Sequence, residues 1–357
     1  MGTLHIFNPE HDIALASNLS NFTAPHAGRQ LRADLGFLPM LWARPGDAVL
    51  VERAEYAERV WNRLSKRIHA TVGLDVATDV RFIQPSGRAR DFDAIDAVEP
   101  WGWDKALVAQ LQRQGLDQAL LPSANCLERV RELSHRRVAS QLLPQLRQEG
   151  TVGESYECTT ADEVEALLAR YGQVVMKAPW SSSGRGLRFL SVDRTPFVMQ
   201  AGWFRHVVAD QGSVIVEPLY NKVRDFGMEF ESTEQGIRYL GLSLFHTVNG
   251  AYTGNILATE KWKQSFLMRY VSVSLLCAVR EKISYCLDLG DYRGPFGMDM
   301  MVVRVGSQLF LHPCVEINLR RTMGHVALAL SPADDDVVKV MRIRLNDHYR
   351  LSIRQFI

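Results

Sequence analysis

Residues 174–186 read VVMKAPWSSSGRG. A short apolar run, Val174-Val175-Met176, delivers Lys177 to its end, and a small-residue loop follows with Ser181, Ser182, Ser183, Gly184, Arg185 and Gly186. Small residues let backbone N–H groups approach an anion closely, and a lysine adds a point charge beside it. The chemistry suggested is nucleotide triphosphate binding. A β-hairpin whose loop happens to carry serine and glycine fits the same residues, and on this stretch alone both readings stand.

A second cluster lies near the C-terminal end of the chain. Met298-Asp299-Met300 sets one acid in an apolar strand, and Val315-Glu316-Ile317-Asn318 sets an acid and an amide two residues apart. Residues i and i+2 of a strand share a face, so Glu316 and Asn318 point the same way, and a hairpin would bring Asp299 alongside. Two carboxylates and an amide oxygen make a hard-oxygen site suited to Mg²⁺ with bound phosphate. A solvated polar face is the alternative. The apolar neighbours weigh against it, because a buried acid needs a partner. Arg320 and Arg321 follow directly, and arginine forks suit a γ-phosphate or a substrate carboxylate.

Other signals are weaker or absent. Asn8, Glu10, His11 and Asp12 follow a first apolar strand and read as a substrate or structural loop, since nothing completes a zinc set. Trp101 and Asp104, in Trp101-Gly102-Trp103-Asp104, follow another strand and could stack on or bind a small molecule. The chain has no GxxxxGK[ST], no GxGxxG after a first strand and no GxSxG. Asp225-Phe226-Gly227 spells DFG, but no HRD loop accompanies it, which excludes a protein kinase.

These residues need scaffolding, and 357 residues are enough for two or three domains. A formal net charge of +1 argues for neither nucleic acid nor an acidic membrane as partner. Five cysteines without CxxC spacing point away from disulfides and zinc, and towards a cytoplasmic location. The first residues lack a basic, apolar leader, and the apolar segment 266–279 is too short and too interrupted to span a bilayer.

Strands at 4–7, 47–51 and 95–98 alternate with helical patterns at 52–68 and 105–114, which argues for a small parallel α/β domain. A polar helix through 134–138, a strand at 150–158 and an acidic-capped helix at 161–170 lead to the lysine strand and its partner at 187–192. Further strands are expected at 213–218, 225–230 and 239–245, then a long helix within 261–289, the acid-bearing hairpin, and a helical tail at 337–349.

Taken in order, these pieces resemble the ATP-grasp superfamily of ligases over roughly residues 120–330. The resemblance implies an α/β and α+β fold with a small N-terminal parallel α/β domain (1–125), a lid domain (126–212) and a C-terminal antiparallel-sheet domain (213–357). It implies ATP contacts from Arg137, Lys177, Ser182, Ser183, Gly184, Gly186, Glu217, Pro218, Leu219, Tyr220 and Asp225. Asp299, Glu316 and Asn318 become the Mg²⁺ ligands, with Mn²⁺ admissible, and Lys177, Arg320 and Arg321 become catalytic. Asn8, Glu10, His11, Asp12, Trp101 and Asp104 are placed towards the acceptor.

The implied reaction activates a carboxylate as an acylphosphate for attack by an amine or thiol. A small-molecule kinase on the same fold and a nucleotide-binding protein with little turnover are the alternatives. Small-molecule partners are implied, without nucleic acid or membrane, and a homo-oligomer stays open.

Overall fold

The computed structural model describes residues 2–76, 79–86, 89–181, 186–248 and 251–356. Strands β1 (Gly2–Ile6), β2 (Ala48–Leu50), β3 (Arg81–Ile83) and β4 (Ile95–Pro100) form a parallel sheet in the order β3-β2-β1-β4. Parallel neighbours require crossovers. The helices His11–Ser17, His26–Leu35 and Ala54–Val72 lie on these connections. Strand β3 escapes the periodicity reading, because it is three residues long with one buried side chain. The order reverses at β1, so the loops after β1 and β4 meet where open α/β sheets form crevices.

Strands β5 (Tyr156–Cys158), β6 (Gln173–Lys177), β7 (Leu187–Ser191) and β8 (Val214–Pro218) form a second, antiparallel sheet in the order β5-β8-β6-β7. The helix Ala161–Tyr171 starts on a Thr160–Glu163 capping box and stops at Gly172 with φ 72°. With the helix Ala201–Gln211 it covers one face of this sheet, burying Val164, Leu168, Phe204 and Val207 against Val174, Met176, Val214 and Val216. Strand alternation then turns Val175, Lys177, Ile215 and Glu217 to the opposite face. Strand β8 carries this sheet, called the lid sheet after the resemblance, through Pro218.

The remaining strands are β9 (Asn221–Thr233), β10 (Gly236–Ser243), β11 (Phe245–Val248), β12 (Ala251–Leu257), β13 (Gly294–Val305), β14 (Gln308–Asn318), β15 (Lys339–Leu345) and β16 (Tyr349–Gln355). They split into two antiparallel sheets, β10-β9-β13-β14 and β11-β12-β15-β16. Phe226, Met228, Phe230, Phe296, Met298 and Met300 of the first pack into a core shared with the helices Arg137–Leu146 and Val273–Cys286.

Three elements differ from the sequence reading. The expected long helix is two, Glu260–Leu267 and Val273–Cys286, because Ser272 turns the chain and caps the second by accepting from the Leu275 N–H. Residues 134–136 are the junction between the helices Ala124–Leu133 and Arg137–Leu146. The expected helical tail is the hairpin β15–β16. Met341, Ile343 and Leu345 alternate with Arg342 and Arg344, which is a period of two. No helix among the described residues is long and apolar enough to cross a membrane.

Candidate functional site

A cleft of about 300 Å³ opens between the lid sheet and the β10-β9-β13-β14 sheet. Lys177, Ser181 and Leu187 border it from the lid; Glu229, Asp299, Glu316 and Asn318 border it from the larger sheet, and Arg136 and Arg320 enter from its ends. Lys177 and Glu217 lie on adjacent strands, with Glu217 opposite Val175. Their side chains are therefore diagonal neighbours, and Lys177 Nζ donates to Glu217 Oε2 at 2.7 Å, both groups buried. This pair settles the charge of a lysine that is only 7 % exposed.

Asp299 and Glu316 stand directly opposite each other, and Gly297 stands opposite Asn318. Beyond them the register slips, pairing Met301 with His312, so β14 carries extra residues around Pro313. Proline lacks the N–H a regular ladder needs, and a bulge is where a strand tolerates it. Asn318 Nδ2 donates to Asp299 Oδ2 at 3.2 Å. Burial, then the neighbouring Glu316 and Glu229 carboxylates, push the Asp299 carboxyl up to about 8.

Arginines answer this negative charge. Arg136 NH2 reaches Glu316 Oε1 at 2.7 Å, while NH1 donates to Ser181 Oγ at 2.8 Å and to the Ala178 carbonyl. Arg320 grips Asp12 with Nε at 2.8 Å and NH2 at 2.7 Å, and NH2 also donates to Asn318 Oδ1 at 3.0 Å. Arg321 turns away to Glu99 at 3.1 Å and stacks over Trp42 at 4.6 Å. Arg137 likewise faces Glu157, at 3.6 Å, outside the cleft. The arginine that enters is its neighbour, Arg136, which occupies the N-cap of the helix.

The loop after Lys177 is closed at its base. Ala178 N donates to the Gly186 carbonyl at 2.9 Å, and a Cβ on Gly186 would meet Ser181 at 2.4 Å. Ser182, Ser183 and Gly184 lie outside the described residues. Pro218 ends β8, and Leu219 and Tyr220 connect it to β9, with Leu219 N held by the Gln173 carbonyl at 3.0 Å. The Tyr220 ring meets His312 edge-on at 5.5 Å. His312 is fully buried, and neither of its nitrogens has a hydrogen-bond partner among the described residues. Asp225, on β9, is held by Lys222 and the Thr247 hydroxyl.

Of the residues placed towards the acceptor, Asp12 alone meets a cleft side chain, through Arg320. Asn8, Glu10, His11, Trp101 and Asp104 do not border the cleft. Asn8 Nδ2 donates to the Gly102 carbonyl at 2.8 Å, and His11 Nδ1 lies 3.3 Å from Asp104 Oδ2. Asp104 Oδ1 also caps the helix Lys105–Arg113 through Leu107 N at 2.8 Å. Trp101 packs edge-on against Phe7 at 4.9 Å. These residues lock the β1 and β4 loops together. Asn8, Glu10 and Asp104 border a separate cavity of about 190 Å³, where Glu10 pairs with Arg32 at 2.8 Å.

Glu229 is a cleft residue that the sequence reading passes over, and Arg136 is one whose neighbour, Arg137, is chosen there instead. Glu229 carried a usable signal, since Gly227-Met228-Glu229 repeats the pattern of Gly297-Met298-Asp299, a lone acid in an apolar strand.

No family profile and no curated protein matches the chain. Among solved structures, biotin carboxylase of Campylobacter jejuni, determined as a beta-gamma-ATP complex, superposes with a TM-score of 0.50 and 12% identity, over 96% of this chain and 75% of that one. A protein of Archaeoglobus fulgidus assigned to the ATP-grasp superfamily gives 0.48 and 13% identity, over 100% of both chains. N5-carboxyaminoimidazole synthase of Aspergillus clavatus, in complex with ADP and 5-aminoimidazole ribonucleotide, gives 0.47 and 12%, over 96% and 82%. The first likeness, with the sheet arrangement described above, shows an ATP-grasp fold.

Proposed function

We propose that this ATP-grasp chain is an ATP-dependent ligase, which passes the γ-phosphoryl group of ATP to a substrate carboxylate and then joins the acyl group to an amine or thiol. One observation carries the reading. Asp299 and Glu316 face each other across β13 and β14 in a cleft whose other walls supply Lys177, Arg136 and Arg320.

Two opposed carboxylates, one of them pushed up by burial and by its neighbour, fit a divalent cation between them. Asp299, Glu316 and Asn318 would hold Mg²⁺, which neutralises phosphate charge when bound. Lys177 lies across the cleft on the lid, where an ammonium would balance charge on the transferring phosphoryl group. Arg136 links lid and sheet through Ser181 and Glu316, and so sets the spacing of the two walls. Arg320 is pinned by Asp12 and Asn318, which aims its remaining surface into the cleft. No side-chain nucleophile is required by this chemistry.

The test is ADP release against a panel of carboxylates with hydroxylamine present, with Lys177→Ala as the blank. An acylphosphate yields a hydroxamate. Substrate-dependent ADP without any hydroxamate would favour phosphorylation of a hydroxyl, and no substrate-dependent ADP would favour a binding protein.

A further inference from the structure

We propose that Glu229 forms the subsite for the acceptor's ammonium group, so that the cleft takes a primary amine in preference to a thiol; this rests on the ligase reading above. Glu229 lies on β9 opposite Gly297, and residues 297 and 299 share a face of β13. Its carboxylate therefore stands on the same side of the sheet as Asp299, one pleat along. It is 3 % exposed and borders the cleft together with Ser243, Asn255, Thr322 and Gly324.

The two carboxylate oxygens differ. Oε2 accepts from Thr322 Oγ1 at 2.8 Å and lies 3.0 Å from His325 Nδ1. Oε1 has no hydrogen-bond partner among the described residues. Room for the carboxylate depends on two missing side chains. A Cβ on Gly297 would stand 2.6 Å from Oε2, and a Cβ on Gly324 would stand 1.8 Å from Oε1 and 2.6 Å from Ser243 Oγ. The carboxylate itself thus fills the place over Gly324 that a side chain would take, with Ser243 Oγ beside it.

A nearly dehydrated carboxylate with a free oxygen favours a cation there. The ligands assigned to a divalent ion stand one pleat along, at Asp299, Glu316 and Asn318, and the cation placed at Glu229 is organic. An alkylammonium presents three donors, one for Oε1 and others for neutral oxygens such as Ser243 Oγ, whereas a thiol presents one weak donor.

The ammonium gives one proton to Glu229, and its freed lone pair forms a C–N bond to the acylphosphate carbonyl carbon. The bond from that carbon to the bridging phosphate oxygen breaks with its electron pair on the departing phosphate, and the nitrogen's second proton leaves with that phosphate.

The experiment compares wild type with Glu229→Gln, measuring amide formation with an amine and hydroxamate formation with hydroxylamine, which is neutral and needs no ammonium subsite. The expected result is a fall of at least about 30-fold in the ratio of amide to hydroxamate, seen mainly as a higher KM for the amine. An unchanged ratio overturns the subsite while leaving the ligase standing. No hydroxamate from wild type with any carboxylate overturns the ligase reading itself, and the subsite falls with it. A measurement on wild type alone covers the case of a variant that does not fold. Ethylammonium should inhibit amide formation competitively at concentrations at least about tenfold below ethanol, and equal potency overturns the proposal.

Discussion

Asp12 and Arg320 stand 308 residues apart in the chain and are joined by two parallel hydrogen bonds of 2.8 and 2.7 Å. The pair ties the first turn of the helix His11–Ser17 to the residue that follows the acid-bearing hairpin. Burial alone would raise the Asp12 carboxyl, and the Arg320 guanidinium outweighs it and holds the group below its ordinary range. Asp12→Asn keeps the shape and removes the charge, so Arg320 loses its aim. We expect a loss of about 2 kcal/mol in stability by urea unfolding, in line with a mostly buried, bidentate pair. A loss under about 0.5 kcal/mol would mean the pair behaves like an exposed one.

Lys177 and Glu217 make a separable prediction. Lys177→Met leaves a buried, uncompensated carboxylate, and Glu217→Gln leaves a buried, uncompensated ammonium. Each single variant should be less stable than the double variant Lys177→Met/Glu217→Gln, because breaking a buried pair costs more than replacing it. Nucleotide affinity should stay low in the double variant. If calorimetry finds its ATP binding restored, Lys177 has no part in the nucleotide site.

The Asp299 carboxyl, pushed up to about 8 by burial and then by Glu316 and Glu229, makes cation binding depend on pH. Below that value the folded, metal-free protein holds a proton that a divalent ion must displace. Apparent Mg²⁺ affinity should therefore rise with pH until about 8 and then level off. The unfolded chain loses the same proton near the ordinary value of 3.8, so the metal-free fold loses stability as pH climbs from there to about 8. Titration calorimetry in buffers of different ionisation heat reads the displaced proton. Asp299→Asn should abolish that proton release, and a release that persists would reassign it.

His312 works in the opposite direction. Burial, and secondarily the Lys177 charge, lower it from 6.5 to about 3. The unfolded chain takes up a proton in the upper part of that window while the folded chain does not, so stability falls as pH drops through it. His312→Phe should flatten the loss in urea midpoint between pH 7 and pH 4.5. An equally steep loss in the variant would place the acid sensitivity elsewhere, for instance at His135, which burial lowers to about 3 in the same way.

What could be read from the chain without coordinates follows from the length scale of each signal. Lys177 and Glu217 end apolar strands, and the Asp299–Glu316 opposition follows from a short hairpin, so local pattern sufficed. Arg136 and Arg137 are adjacent and chemically alike, and only the angle at which the helix Arg137–Leu146 meets the lid decides which one enters the cleft. The Asn8–Asp104 and His11–Asp104 contacts join loops more than 90 positions apart. Polarity after a strand end suggested a ligand there, and the structure uses those groups on one another. The lone acid at Glu229 is legible in its apolar strand, but the two distant glycines that leave its carboxylate room, Gly297 and Gly324, are not.

The hairpin β15–β16 buries Met341, Leu351 and Ile353 in the same cluster as Phe7, Leu38 and Trp61. Asp34, on the helix His26–Leu35, holds His348 Nδ1 at 2.8 Å and Tyr349 N at 2.9 Å. During synthesis, therefore, the first sheet leaves the ribosome with one apolar flank uncovered and waits for some 250 further residues before that flank can close. The first sheet is thus made well before the hairpin that finishes it, and its bare flank is where a chaperone would have something to hold.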